Sequence, residues 1–400
     1  MTAIALCVLA LVLSYLIGRR SLAYGLLSVI AFGYAYGIVR ANLRATFSHF
    51  LFDAALVGLY FSQTWFSFRS DRSSRNTLGL WVVVLIGWPL FICFLPFQTP
   101  LVSLVGLRGN AFLLPALVLG SRLGTKDLLK LSYGLAALNL VALAFAGAEY
   151  FLGIERFYPV NEITTIIYAS QDVAGYQFFR IPSTFVASAA YAGTMVVTLP
   201  FLYGAWSRPS QSRWKSLLLL GGIAAALLGV LLGASRSHFI VLGAMIVTAA
   251  LRTRLSPMKQ VLCMVVIGAL VVVTLRNERF QRFESLADKA LVADRIAGSV
   301  NKTFFEILAD YPMGNGLGGG GTSIPYFLVS EVRSPIGMEN EYSRILLEQG
   351  IIGLLIWIGF IGWVLSRRTA FAKNSGETEG SWRGLAAPAI LALALSGSVC

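Results

Sequence analysis

Apolar residues run along this chain in stretches far longer than the core of a soluble fold requires. Roughly 17–25 of them suffice to cross a bilayer as a helix. Twelve candidate spans follow: 2–18, 21–39, 50–68, 77–97, 101–120, 128–148, 184–205, 216–233, 237–251, 260–275, 346–365 and 384–400. The pattern predicts an all-α polytopic bundle of about twelve transmembrane helices, folded as a single integral domain over 1–400, because only internally bonded helices satisfy a backbone in lipid. The first span lacks the basic flank and small-residue cleavage site of a secretory signal, and another span follows it at once. The last reaches Cys400 with no polar tail, which leaves the end of the chain open.

Two longer polar stretches interrupt the pattern. The first, 149–183, reads as mixed coil with Pro159, Pro182 and a strand-like Thr/Ile-rich piece, and it ends in Phe179-Arg180-Ile181-Pro182-Ser183-Thr184-Phe185. The second, 276–345, places Leu286, Ala290, Ala293, Ala297, Val300, Phe304 and Leu308 on one helical face and Asp288, Arg295 and Lys302 on another. That amphipathic helix can lie on the membrane surface or cap a cavity. A break at Tyr311-Pro312 leads into Gly314-Asn315-Gly316-Leu317-Gly318-Gly319-Gly320-Gly321. No internal repeat is visible.

Charge decides the orientation. The chain is 56% hydrophobic and 13% charged, with a net charge of +13. In a soluble protein that excess would point to nucleic acid, but here the basic residues sit at span ends. With 149–183 and 276–345 taken as external loops, 18 basic residues fall in the alternating cytoplasmic loops, whereas the short external loops hold only Arg40, Arg44, Arg108 and Arg236. This is the positive-inside asymmetry of a multi-pass membrane protein. The four cysteines lie in apolar spans, with neither a disulfide framework nor metal-ligand spacing.

Candidate chemistry is sparse and sits at the span ends. Glu339-Asn340-Glu341-Tyr342-Ser343-Arg344 runs straight into the apolar span ending near Leu365, and charges beside hydrocarbon are easily solvated only at a wet rim. A carboxylate with apolar walls can take a proton from a hydroxyl; the alternative is an acidic patch neutralised by Arg333 or Arg344. Arg236, in Ser235-Arg236-Ser237-His238, lies between two spans with almost no loop around it. It either faces a cavity or an anion, or snorkels to the interface. His238 reads as a packed polar residue, and Arg295 as part of a solvated face. Gly314, Gly316 and Gly318 can turn backbone N–H groups toward an anion, or simply form a flexible loop. No Lys-Ser or Lys-Thr follows, which excludes a nucleotide P-loop.

In four places the chain resembles the O-antigen ligase and O-antigen polymerase family: Arg180 ahead of Thr184-Phe185, Ser235-Arg236-Ser237, Arg295 followed by Tyr311-Pro312-Met313-Gly314-Asn315-Gly316, and the block from Glu339 to Gly353. That family's pattern begins His-Asn-x-Tyr, with a Glu nine and a Gly eleven residues after the His. Asn340, Tyr342, Glu348 and Gly350 keep this register, and Glu339 stands where the His would be.

The resemblance implies a bacterial inner-membrane glycosyltransferase of polysaccharide biosynthesis with its site on the periplasmic face. It would take a polyprenyl-pyrophosphate-linked glycan as donor and a glycan or lipid-linked molecule as acceptor, with neither metal nor cofactor. Arg236 and Arg295 become the pyrophosphate clamp and Arg180 a third cation. Glu339 becomes the base with Glu341 as its substitute, and Arg344 holds the carboxylates, with Gly314, Gly316 and Gly318 in support. Two other classes stay open: a lipid or glycan transporter, which favours broken helices in two repeated halves, and an assembly subunit with no chemistry, for which these charges would be dispensable.

Overall fold

The computed structural model describes residues 1–64, 73–169, 179–208, 212–252, 303–320, 324–336 and 341–371, with single positions between 265 and 272. The expected spans at 260–275 and 384–400, most of the amphipathic helix, Arg295 and Glu339 lie outside the described residues. In chain order the helices are α1 (Thr2–Arg20), α2 (Leu22–Asn42), α3 (Leu51–Thr64), α4 (Ser73–Cys93), α5 (Pro100–Ala111), α6 (Pro115–Gly120) and α7 (Thr125–Leu152). They continue as α8 (Thr165–Tyr168), α9 (Ser188–Trp206), α10 (Arg213–Leu232), α11 (Arg236–Arg252), α12 (Thr303–Asp310) and α13 (Glu341–Phe371). No strand occurs among the described residues, and six helical stretches are long and apolar enough to cross a membrane: α1, α2, 100–120, α7, α10 and 341–366. The described chain is thus all-α, with the helices of a multi-pass membrane protein; of the twelve spans expected, 260–275 and 384–400 lie outside the described residues.

The chain divides into two compact units. One takes the described residues of 1–68 and 123–287, the other those of 69–122 and 288–374. In the first, packing inverts the soluble rule. On α1 the buried positions are Ala3, Ala10, Ser14 and Gly18, while Val8, Leu9 and Leu16 are about half exposed. Lipid tails are as apolar as leucine, so what gains from burial is close backbone approach through small residues. Gly58 of α3 shows it: a Cβ there would lie 2.2 Å from the Leu11 carbonyl oxygen. A second contact layer joins α7, α9 and α10 through Leu131, Leu135, Leu202, Trp206 and Leu219.

One segment of this unit departs from the sequence expectation. The seventh span was expected from residue 184, but α9 begins at Ser188, and 181–187 is non-helical chain in which Ile181, Pro182, Ser183, Thr184 and Phe185 are all buried. Buried non-helical backbone needs hydrogen-bond partners within the protein, and here α2, α7 and α10 all contribute. The Ile38 N–H donates to the Thr184 carbonyl at 3.0 Å, the Ser183 N–H to Glu149 Oε2 at 2.9 Å, and the Ile181 N–H to the Leu232 carbonyl at 3.3 Å. Gly37 admits it: a Cβ on α2 there would fall 2.1 Å from the Phe185 carbonyl carbon. The Thr/Ile-rich piece is a helical turn, α8, and not a strand. Asn161 Oδ1 accepts the Ile163 and Thr164 N–H groups, an Asx turn that starts a helix and competes with extended pairing.

In the second unit, α13 is broken where one continuous span was expected at 346–365. Gly350 sits at φ 69° and ψ −174°, a region reserved to glycine. Three backbone groups beside the break have partners outside α13. The Ile351 N–H donates to the Pro312 carbonyl at 3.0 Å, the Gln349 carbonyl accepts from Trp88 Nε1 at 2.9 Å, and the Leu347 carbonyl accepts the Asn315 N–H. The short α12 ends ahead of Pro312, and its Ile307 packs with Phe304 and Leu308 against Ile345, Leu346 and Leu347.

Candidate functional site

The singled-out residues fall into two groups, one in each unit. In the first unit, Arg180 directly precedes the non-helical 181–187 segment, and Arg236 is the first residue of α11, just past the break after α10. The hydrogen bond from Ile181 to Leu232 ties these two breaks together, one residue after Arg180 and four before Arg236. Both breaks contain a non-glycine residue with positive φ: Ser183 at 53° and Ala234 at 46°. Such backbone costs on the order of 1–3 kcal/mol and persists only where the surroundings over-determine it. Ser235 Oγ lies 2.7 Å from His238 Nδ1, and a Cβ on Gly193 would meet His238 Nε2 at 2.8 Å. The imidazole is therefore packed into the α11 entry and bonded to its own turn.

Sequence reasoning missed the residues that hold this arrangement. Glu149 was expected at the start of a loop; it lies in the last turn of α7 at 1% exposure. Tyr158 is fully buried, and its hydroxyl donates to the carbonyls of Ser183 and Phe185. Burial, with Glu149 close by, pushes the Tyr158 phenol well above its usual range, so it remains a proton donor at any physiological pH. The one available signal was an acid at the end of an apolar run facing a Pro-Ser-Thr stretch.

In the second unit, Glu341, Arg344 and Glu348 form a ladder down the first turns of α13. The Glu341 side chain is 53% exposed, that of Arg344 12% and that of Glu348 not at all. Arg344 grips Glu341 through both Nε and Nη2, and its Nη1 donates to Glu348 Oε2 at 2.9 Å. Asn110 Nδ2 donates to that same Oε2 at 2.7 Å, while Gln349 Nε2 donates to Asn110 Oδ1 at 2.9 Å. Glu348 Oε1 is buried with no hydrogen-bond partner among the described residues. Glu341 is therefore an ion-paired carboxylate at the exposed end, and Glu348 is a buried anion compensated by a guanidinium and an amide. The sequence register singled out Glu348, but nothing in it pointed to Asn110 as a partner.

The glycine run beneath this ladder is packed, and Gly316 to Gly320 are buried. Gly318, at φ 84°, and Gly106 of α5 approach so closely that a Cβ on Gly106 would lie 2.5 Å from the Gly318 nitrogen. Gly314 meets the α13 break in the same way, its Cβ position 2.9 Å from the Gly350 nitrogen. Gln98 then fixes the following loop, donating to the Asn315 and Arg333 carbonyls and accepting the Arg333 N–H at 2.8 Å. Among the described residues, no three His, Cys, Asp or Glu side chains gather into a metal site.

Models of known protein families give no match to this chain, and curated protein sequences give none either.

Proposed function

We propose that this protein is a membrane glycosyltransferase that polymerises or ligates polyprenyl-pyrophosphate-linked oligosaccharides at the outer face of a bacterial inner membrane. The observation that carries the reading is the pair of tied helix breaks in the first unit, with Arg180 at the edge of one and Arg236 at the edge of the other. Arginine suits a diphosphate because it stays charged and offers a bidentate fork. A polyprenyl diphosphate is already an activated leaving group, so neutralising its charge and positioning an acceptor supply much of the rate.

In this reading an acceptor hydroxyl attacks the anomeric carbon, the bond from that carbon to the diphosphate oxygen breaks, and the polyprenyl diphosphate departs. The proton of the hydroxyl passes to a base. Arg180, Arg236 and Arg295 are assigned to the diphosphate. Glu339, which takes the place of the family's histidine, is assigned as base. The ion pair that Glu341 makes with Arg344 favours a structural part for Glu341.

The test is turnover of a lipid-linked donor by protein in liposomes across pH. Glu339→Gln should lower turnover on the order of 10²-fold while donor binding survives. Glu339→His should recover part of it with a higher pH optimum. Glu341→Gln, the comparison, should be milder. Wild-type turnover in Glu339→Gln, or a more impaired Glu341→Gln, would mean that the base is misassigned.

A further inference from the structure

We infer that Glu149 is a positioning residue, a carboxyl latch that fixes the 181–187 segment and with it the placement of Arg180. The inference rests on the proposed assignment of Arg180 to the donor diphosphate. Ser183 is the keystone. It is fully buried with φ 53°, and all of its polar groups are held: the N–H by Glu149 Oε2 at 2.9 Å, Oγ by the Ala142 carbonyl at 2.7 Å, and the C=O by the Tyr158 hydroxyl. A left-handed serine has no local reason to exist, so the latch must supply one.

Two features make Glu149 the decisive part. Among the described residues it is the side chain that accepts the Ser183 N–H, a buried donor that would otherwise be orphaned. Its Oε1 is buried with no hydrogen-bond partner among the described residues. The carboxyl thus works through one oxygen, as an acceptor, and an amide carbonyl could replace it. Tyr158 supports the same turn from the opposite side and is itself held by Tyr168, whose hydroxyl donates to the Tyr158 carbonyl. The three Arg180-side supports, Glu149, Tyr158 and Leu232, come from α7, the 153–160 turn and α10, so the segment is fixed from several elements at once.

The experiment pairs hydrogen exchange with ligand binding on the full chain in detergent micelles. Glu149→Ala should speed exchange of the Ser183 amide about tenfold or more relative to amides in the middle of α9, and Tyr158→Phe should do so to a smaller degree. Glu149→Gln should exchange like wild type, because its carbonyl keeps the bond. Binding of a short-chain polyprenyl diphosphate should weaken about tenfold in Glu149→Ala and stay within about threefold of wild type in Glu149→Gln. Unchanged Ser183 exchange in Glu149→Ala would overturn the latch. Fast exchange with unweakened binding would overturn the positioning role, and Glu149→Gln as weak as Glu149→Ala would show that charge, not acceptance, matters. Wild-type protein with no affinity for the diphosphate would strike the proposed function itself, and the exchange data would then stand as a purely structural result.

Discussion

Arg344→Met should be among the most damaging single changes in the second unit, and the reason is the charge it would leave behind. Glu348 is wholly buried, and Arg344 Nη1 is the cation paired with it at 2.9 Å. Removing one partner of such a pair strands an uncompensated charge and typically costs about 3–5 kcal/mol. Replacing both partners by apolar side chains of similar size is often close to neutral, and here the remaining polar group is already provided for. Asn110 Nδ2 also donates to the Gly106 carbonyl at 2.9 Å, and its Oδ1 accepts from Gln349.

The double variant Arg344→Met/Glu348→Leu should therefore be more stable than Arg344→Met alone by about 2 kcal/mol or more. Glu341→Gln should cost no more than about 1 kcal/mol, because its half-exposed ion pair is screened by water. Equilibrium unfolding in mixed micelles, followed by tryptophan fluorescence, measures the cycle. A double variant whose loss equals the sum of the two singles to within about 0.5 kcal/mol would refute the claim that Arg344 exists to compensate Glu348.

Other outcomes follow from the same contacts. Gly37→Ala should destabilise by about 1–3 kcal/mol or more, because its Cβ would fall 2.1 Å from the Phe185 backbone, whereas Gly79→Ala, with open space around it, should raise helix stability slightly; thermal unfolding of the two compares them. Gly350→Ala should lower the unfolding midpoint as well, since φ 69° combined with ψ −174° is open only to glycine and a Cβ would lie 2.7 Å from the Met313 carbonyl carbon. Arg236→Lys and Arg295→Lys should each abolish most polymer at matched protein levels, while Arg208→Lys should not, because lysine keeps the charge and loses the fork; polymer length on a gel reads the result.

The long helices were legible because bilayer-spanning runs are set by composition and length alone, and α1, α2, α7 and α10 lie within a few residues of the apolar runs that announce them. What stayed hidden depends on contacts made across the fold. Nothing in Ser183-Thr184-Phe185 separates a helix start from a buried extended segment; the distinction lies in Gly37, Glu149 and Leu232, which are remote in sequence. Glu348 stood in the expected register, yet its burial is set by Asn110 and by glycines 314–320, whose packing looks the same in sequence as a flexible loop. The arginines were conspicuous for the opposite reason, since a guanidinium at a span end is costly enough to be noticed without a structure.

Whether a lipid-linked glycan is consumed by transfer is read by following one labelled polyprenyl-pyrophosphate-linked oligosaccharide in liposomes that hold the purified protein. Free polyprenyl diphosphate should appear in step with growth of the labelled glycan, both should need the acceptor, and both should fall together in Arg236→Lys. Movement of intact donor from one leaflet to the other with no diphosphate released would contradict it and identify a transporter instead.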